Sequence, residues 1–264
     1  MKNVFTQKRV IVSLTSFPAA IPYAKDAIQS ILAGNTLPDK VVLYLTFSQF
    51  EDSKIPEELR ILASNNPLFE IRDYHEDIRS YRKLIPALID FPNDIIVTVD
   101  DDVRYHKNML RDLLNLHQQI PNVIIANRAK KIKLNAPYRQ WKKYRWYHFF
   151  TNRLNFSFKN IQTGVGGVLY PPNSLHPEVM NSDRFKEIAP TTDDIWFWAA
   201  AVRNGTYIVP YPFGKHNKPR GLEKPKSLSL KTTNFKSGTD LNRKAFEKIL
   251  EKYPVIQQRI EDEK

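Results

Sequence analysis

A chain of 264 residues is long enough for one large α/β domain with a buried core, or for two small domains. Its hydrophobic fraction of 42% and charged fraction of 26% exclude wholesale disorder. The absence of cysteine excludes disulfides, thiolate zinc sites and a cysteine nucleophile. Forty basic residues against 28 acidic ones leave a net charge of +12, which attracts nucleic acid, anionic membrane or phosphorylated small molecules without choosing among them.

The N-terminal MKNVFTQKRVIVSLTSF is basic and then apolar, but its apolar run is short, alternates like a strand and lacks a cleavage pattern. It reads as part of a mature, soluble protein, and no apolar run of about 18 residues predicts a membrane-spanning helix. Val10 to Phe17 is a β-branched run that stops at Pro18, and a short helix around Tyr23 to Ala33 ends at Gly34. Lys40 to Phe47 is the second strand. Pro56 opens a helix that runs to about Asn65, with Glu57 and Glu58 favourable in its first turn. Phe69 to Tyr74 is a third strand, and Tyr81 to Ile89 is partly helical around Pro86.

Ile95 to Asp102, IIVTVDDD, is an apolar strand running straight into three carboxylates. Lys107 to Gln119 is a helix and Asn122 to Asn127 a strand, followed by a basic, aromatic stretch from Lys130 to Phe150. Gly164 to Pro172 is a glycine turn leading into a strand. Asp193 to Arg203 reads as a helix and Thr206 to Val209 as a strand. Gly214 to Asn234 reads as a basic loop, and Asp240 to Lys252 as a closing helix. Strands alternating with helices predict a single α/β domain over residues 1–264 with a mostly parallel, Rossmann-like sheet flanked by helices.

Ligands of open α/β sheets bind beyond the carboxyl ends of the strands, where Asp100, Asp101 and Asp102 fall. Adjacent carboxylates repel one another, and a divalent cation relieves the repulsion. Hard oxygen ligands suit Mg2+ or Mn2+, which also neutralises a departing diphosphate. In an extended chain Asp100 and Asp102 share a face. The plain alternative is a solvated acidic turn that caps the next helix.

Four segments together carry a resemblance: VIVSLTSFP (Val10 to Pro18), VTVDDDVRY (Val97 to Tyr105), TGVGGVLYPP (Thr163 to Pro172) and TTDDIWFWAAAVRNG (Thr191 to Gly205). Their order resembles the GT-A glycosyltransferases that use nucleotide-activated sugars, and is similar to the exostosin-like and bacterial polysaccharide-assembly enzymes. The resemblance spans Val10 to Gly205 and weakens over the last 60 or so residues.

It implies a nucleotide-sugar-binding half over residues 1–127 and an acceptor-binding half over 128–264. Thr15 would face base and ribose, and Lys83 would approach the nucleotide or sugar. Asp100 and Asp101 would lie near the ribose or metal, and Asp102 would hold the metal on the diphosphate. Gly166 and Gly167 would admit backbone to donor or acceptor sugar, and Asp194 or Asp193 would stand across the sugar from the metal. There a carboxylate deprotonates the acceptor in an inverting enzyme, or orients it in a retaining one. The resemblance further implies a UDP-sugar donor, a saccharide or lipid-linked acceptor, and a cytoplasmic enzyme of bacterial surface-polysaccharide synthesis.

Taken on its own, TTDD is also a good helix start, so capping is the alternative for Asp193 and Asp194. His216 is either a further metal or diphosphate ligand or an exposed loop histidine. The aromatics and cations of Lys130 to Phe150 suit an acceptor or an anionic membrane surface, against plain loop packing. A sugar nucleotidyltransferase is a rival reading, disfavoured because SLTSFPAA replaces a glycine-rich phosphate loop. A non-catalytic nucleic-acid-binding protein is the other, disfavoured because a DDD run repels phosphates; no nucleic-acid partner is expected.

Overall fold

The computed structural model describes residues 8–50, 55–145, 154–211, 218–223, 225 and 239–263. Its elements in chain order begin with β1 (Val10–Thr15), α1 (Ile21–Leu32), β2 (Lys40–Leu45), α2 (Glu57–Asn65), β3 (Phe69–Asp73), α3 (Ile85–Asp90) and β4 (Ile95–Thr98). Next come β5 (Val103–Arg104), α4 (Met109–Gln119), β6 (Ile124–Ala126), β7 (Ala129–Lys131), β8 (Lys142–Lys143), β9 (Asn160–Gln162) and β10 (Val168–Tyr170). The described chain closes with α5 (Ser182–Ile188), α6 (Asp193–Asn204), β11 (Ile208–Pro210), β12 (Arg220–Gly221), α7 (Leu241–Lys252) and α8 (Pro254–Glu261).

Seven strands form the main sheet in the order β11-β6-β10-β4-β1-β2-β3, all parallel to their neighbours except β10, which runs antiparallel between β4 and β6. The central strands are buried on both faces, as a sheet covered by helices on both sides requires. Alternate residues serve the two faces: Ile11, Val42, Ile96, Ile124 and Val168 join the cluster that contains α6, α7 and α8. Val12, Val41, Val97, Ile125 and Leu169 join the cluster under α1 and α4. Helix α6 is apolar nearly all round, from Ile195 through Val202, so it is a core helix with packing on every side.

Several elements differ from the sequence reading for identifiable reasons. Helix α1 begins at Ile21 because Pro22 occupies its first turn, and Pro86 likewise lies in the first turn of α3, so the Tyr81 to Ile89 segment is helical only from Ile85 on. Strand β4 ends at Thr98 and does not reach Asp102: Asp101 and Asp102 form a turn, so the alternation of an extended strand does not govern which way they face. The basic stretch contains β7 and β8, which with β9 make a three-stranded antiparallel sheet. Trp146, Tyr147 and His216 lie outside the described residues. Among the described residues no helix is long and apolar enough to cross a membrane.

Candidate active site

The carboxyl ends of β1, β2 and β4 converge on one rim of the sheet, and Arg82 ties the first two together from below. Its guanidinium, only 2% exposed, donates from Nε to Thr15 Oγ1 at 2.8 Å and from Nη2 to the Ser16 carbonyl at 2.9 Å. It also donates to Thr46 Oγ1, while the Asp77 carboxylate lies 4.0 Å away. Burial pushes the guanidinium below its usual range, with Asp77 and then Asp73 opposing. The Thr15 hydroxyl itself donates to the Tyr44 carbonyl at 2.8 Å, so its proton is used within the protein.

The acidic turn follows. Ser16 Oγ donates to Asp101 Oδ2 at 2.5 Å, so Asp101 faces back toward β1. The Asp100 carboxylate, 28% exposed, receives Lys83 Nζ at 3.1 Å, and its N–H donates to the Tyr105 hydroxyl at 2.9 Å. The Asp102 carbonyl accepts the Leu222 N–H at 2.8 Å, and β12 pairs with β5 beside it. This brings Arg220 opposite Arg104, next to the acidic turn. Helix α4 is headed by Asn108, so the aspartates are not its cap.

Lys83 is the hub. Besides Asp100, its ammonium meets Asp193 Oδ2 at 2.9 Å, and the side chain is only 8% exposed. Burial opposes its charge, but Asp100, Asp193 and Asp194 together outweigh that and hold it well above the ordinary lysine value. Thus two carboxylates 93 residues apart in sequence share one buried cation.

Asp194 faces a different partner. The Gly164 N–H donates to its Oδ1 at 3.1 Å and Gln162 Nε2 donates to its main-chain carbonyl at 3.0 Å. Burial, reinforced by the charge of Asp193, pushes the Asp194 carboxyl up to about 7, against the pull of Lys83. Thr192 precedes α6 but its side chain makes no capping bond, and both aspartates engage groups from outside their own helix. Capping alone therefore does not describe Asp193 and Asp194.

The glycines divide the work differently from the sequence reading. Gly164 is the one that borders the charged cluster: a Cβ there would lie 2.5 Å from Lys83 Nζ and 3.1 Å from Asp100 Oδ1. Gly166 packs against Arg128, whose Cβ a side chain would meet at 2.6 Å. Gly167 has φ +85° and rests on Met109. Ser16, Arg82, Tyr105, Gln162 and Gly164 were not singled out from sequence. Four of the five lie inside or beside quoted motifs, where motif membership alone does not tell which residue faces the cleft.

Among the described residues no three carboxylate or imidazole groups form a ready-made metal cage. The donor set nevertheless fits Mg2+ or Mn2+ in a nucleotide complex, because such ions use one or two carboxylates and take the rest of their ligands from phosphate and water. Asp100, Asp101 and Asp102 bring carboxylate oxygens, the donor type such ions take, to this turn. Asp101 is held by Ser16.

No protein-family model matches the sequence, and no curated protein sequence matches it either. Solved structures do. The mannosyltransferase PcManGT from Pyrobaculum calidifontis, in complex with GDP-Man and Mn2+, superposes with a TM-score of 0.53 at 14% identity, covering 98% of this chain and 75% of that one. S. aureus TarS (residues 1–349) matches with a TM-score of 0.49 at 11% identity over 81% of this chain, which spans about 60% of the TarS structure. The architecture and the superposition of nearly the whole chain on three-quarters of PcManGT agree: this chain has the GT-A glycosyltransferase fold.

Proposed function

We propose that this protein is a metal-dependent glycosyltransferase that moves a sugar from a nucleoside diphosphate sugar to a saccharide or lipid-linked acceptor. The observation that carries the reading is the cluster Asp100–Lys83–Asp193 with Asp194 beside it, at the carboxyl rim of a GT-A sheet. The donor would lie over the ends of β1, β2 and β4, against Thr15, Ser16 and the Asp100–Asp102 turn. Asp102 and Asp100 would hold Mn2+ or Mg2+, with His216 as a further ligand. When bound, that ion supplies the positive charge that stabilises a leaving diphosphate.

The chain's own groups divide the remaining tasks. Lys83 keeps Asp100 and Asp193 at fixed separation and carries a cation to where charge accumulates during departure of the diphosphate. A carboxyl held near neutrality is suited to take up a proton from an acceptor hydroxyl, which assigns the base role to Asp194 and a positioning role to Asp193. The Gly164 N–H fixes the Asp194 carboxylate on the acceptor side. Gly166 and Gly167 shape the backbone of this turn. A UDP-sugar is the first donor to test, and GDP-mannose, the ligand of PcManGT, the second.

The test is turnover of a panel of nucleotide sugars, read as nucleoside diphosphate release with Mn2+, by wild type and by the Asp102→Ala and Asp194→Asn variants. One donor consumed by wild type, with losses of at least about 100-fold in both folded variants, is expected. Turnover of no donor, or turnover indifferent to both substitutions, overturns the reading.

A further inference from the structure

Residues Arg79–Lys83 form one short 3-10 turn between β3 and α3, and its last two side chains leave it in different directions. Lys83 runs to Asp100 and Asp193, whereas Arg82 runs to the ends of β1 and β2, and both are buried. The turn that aims them is fixed from several sides. The Tyr81 ring stacks on Phe185 of α5 at 4.0 Å between centroids and meets Phe197 of α6 edge-on at 5.5 Å. Its hydroxyl donates to the Ala189 carbonyl at 2.5 Å. Arg79 opens the turn with φ +52°, a conformation that a residue with a side chain keeps only where its surroundings enforce it. The Arg79 N–H donates to Asp77 Oδ1 at 3.1 Å and so helps to hold it there.

The hydrogen-bond acceptors of Arg82 are neutral: the Thr15 and Thr46 hydroxyls and the Ser16 carbonyl, with Asp77 only at 4.0 Å and half exposed. Its planar fork therefore serves geometry more than charge pairing, because its donors have fixed directions and span two strands. Ser16 passes that geometry on. Its carbonyl accepts from Arg82, and its hydroxyl, on a residue 2% exposed, donates to Asp101 Oδ2 at 2.5 Å. The sheet itself stops short of the acidic turn, since the Val99 N–H makes the last bond to β1, at 3.0 Å to the Ser13 carbonyl. Beyond it, side chains must orient the backbone. Neighbouring residues of one fixed turn do so twice: Lys83 grips Asp100 directly, and Arg82 reaches Asp101 through Ser16. Three adjacent carboxylates repel, and a turn held against that repulsion in the fold keeps its oxygens in place before a cation arrives.

We propose that Arg82 and Ser16 are positioning residues of the metal site. Arg82 fixes Ser16, Ser16 fixes Asp101, and Asp101 anchors the turn so that Asp100 and Asp102 keep the orientation in which they hold a divalent cation. This role rests on the transferase reading for what the turn binds. It adds that Asp101 is an anchor and not a ligand, and that the residues setting metal affinity include two that touch neither metal nor donor.

The experiment is calorimetric titration of Mn2+, in the presence of UDP or GDP, into wild type, Ser16→Ala, Ser16→Thr and Arg82→Lys. Amide hydrogen exchange of residues 97–105 is followed in the same proteins with chelator, where no metal contributes. Ser16→Ala removes one hydroxyl and leaves the main-chain bond to Arg82, so it tests the relay in a protein that keeps its fold. Arg82→Lys keeps the charge and removes the fork. Ser16→Ala and Arg82→Lys are expected to bind Mn2+ about 10- to 100-fold more weakly, the usual cost of losing an outer partner of a metal site. Ser16→Thr, which restores the hydroxyl, should return close to wild type, and exchange across residues 97–105 should quicken in metal-free Ser16→Ala. Unchanged Mn2+ affinity or unchanged exchange in Ser16→Ala overturns the proposal. Tighter Mn2+ binding in that variant overturns it too, since a released Asp101 would then be joining the ligands. Wild type that binds Mn2+ with neither nucleotide overturns the transferase reading and this role with it, an outcome read on the wild-type curve alone.

Discussion

Asp194 sits where ionisation is costly, between burial and the charge of Asp193, and its carboxyl is raised to about 7 from the ordinary 3.8. A raised acid holds its proton in the folded state over a range in which the unfolded chain has released it. Its contribution is therefore favourable at low pH and is lost as pH rises from about 4 through about 7. Asn keeps an oxygen for the Gly164 N–H and removes the charge. Asp194→Asn should thus be near neutral for melting temperature at about pH 3.5 and increasingly stabilising as pH rises from about 4 through about 7, and a pH series of melting curves checks the sign. Gly164→Ala makes the complementary case. Its added Cβ meets the end of Lys83, whose ammonium is buried and paired, so stability should fall by roughly 1–3 kcal/mol. Displacing that ammonium from Asp100 and Asp193 should also cost turnover about 100-fold, since small misplacements of charged groups at a reacting centre are expensive. Turnover unchanged in the folded Gly164→Ala variant would contradict the role given to Lys83.

Elements were legible where their pattern was apolar and local, whereas α5 and α8, which follows the helix read as closing the chain, were not anticipated. Strands β1, β2 and β4 announce themselves as β-branched runs, and α6 as a long apolar helix opened by TTDD and ended by Gly205. Gly205 has φ +78° just past that helix, and Gly205→Ala should lower stability by about 1 kcal/mol, or roughly 2–4 °C in melting temperature. The ribbon of β7 and β8 was not legible, because strands of two or three residues bearing lysines carry no hydrophobic period. The direction in which Asp100 and Asp102 point was not legible either. It depends on β4 stopping at Thr98, which the continuing run Val99–Asp100 conceals. Gly164 lay in plain view within a motif, but its partners, Lys83 and Asp194, come from segments 81 residues before and 30 residues after it. Such pairings are made by tertiary packing and leave no spacing to read.

At the scale of the molecule, the sheet order was only partly accessible. The alternation of strands and helices predicts a mostly parallel sheet, whereas the insertion of β10 antiparallel between β4 and β6 is a non-local choice. That insertion matters, because the glycine turn leading into β10 brings Gly164 against Lys83, Asp100 and Asp194. Part of the basic surplus also acquires a location: strands β7 and β8 bring Lys130 opposite Lys143 and Lys131 opposite Lys142. The central claim, a donor site at the Asp100–Asp102 turn, is tested most directly by calorimetric titration of UDP and GDP with Mn2+, with and without chelator, into wild type and Asp102→Ala. One nucleoside diphosphate is expected to bind at a single site, only when Mn2+ is present, with binding lost in the folded variant. A folded wild-type protein that binds neither nucleotide, or binds one equally well without metal and without Asp102, would contradict it.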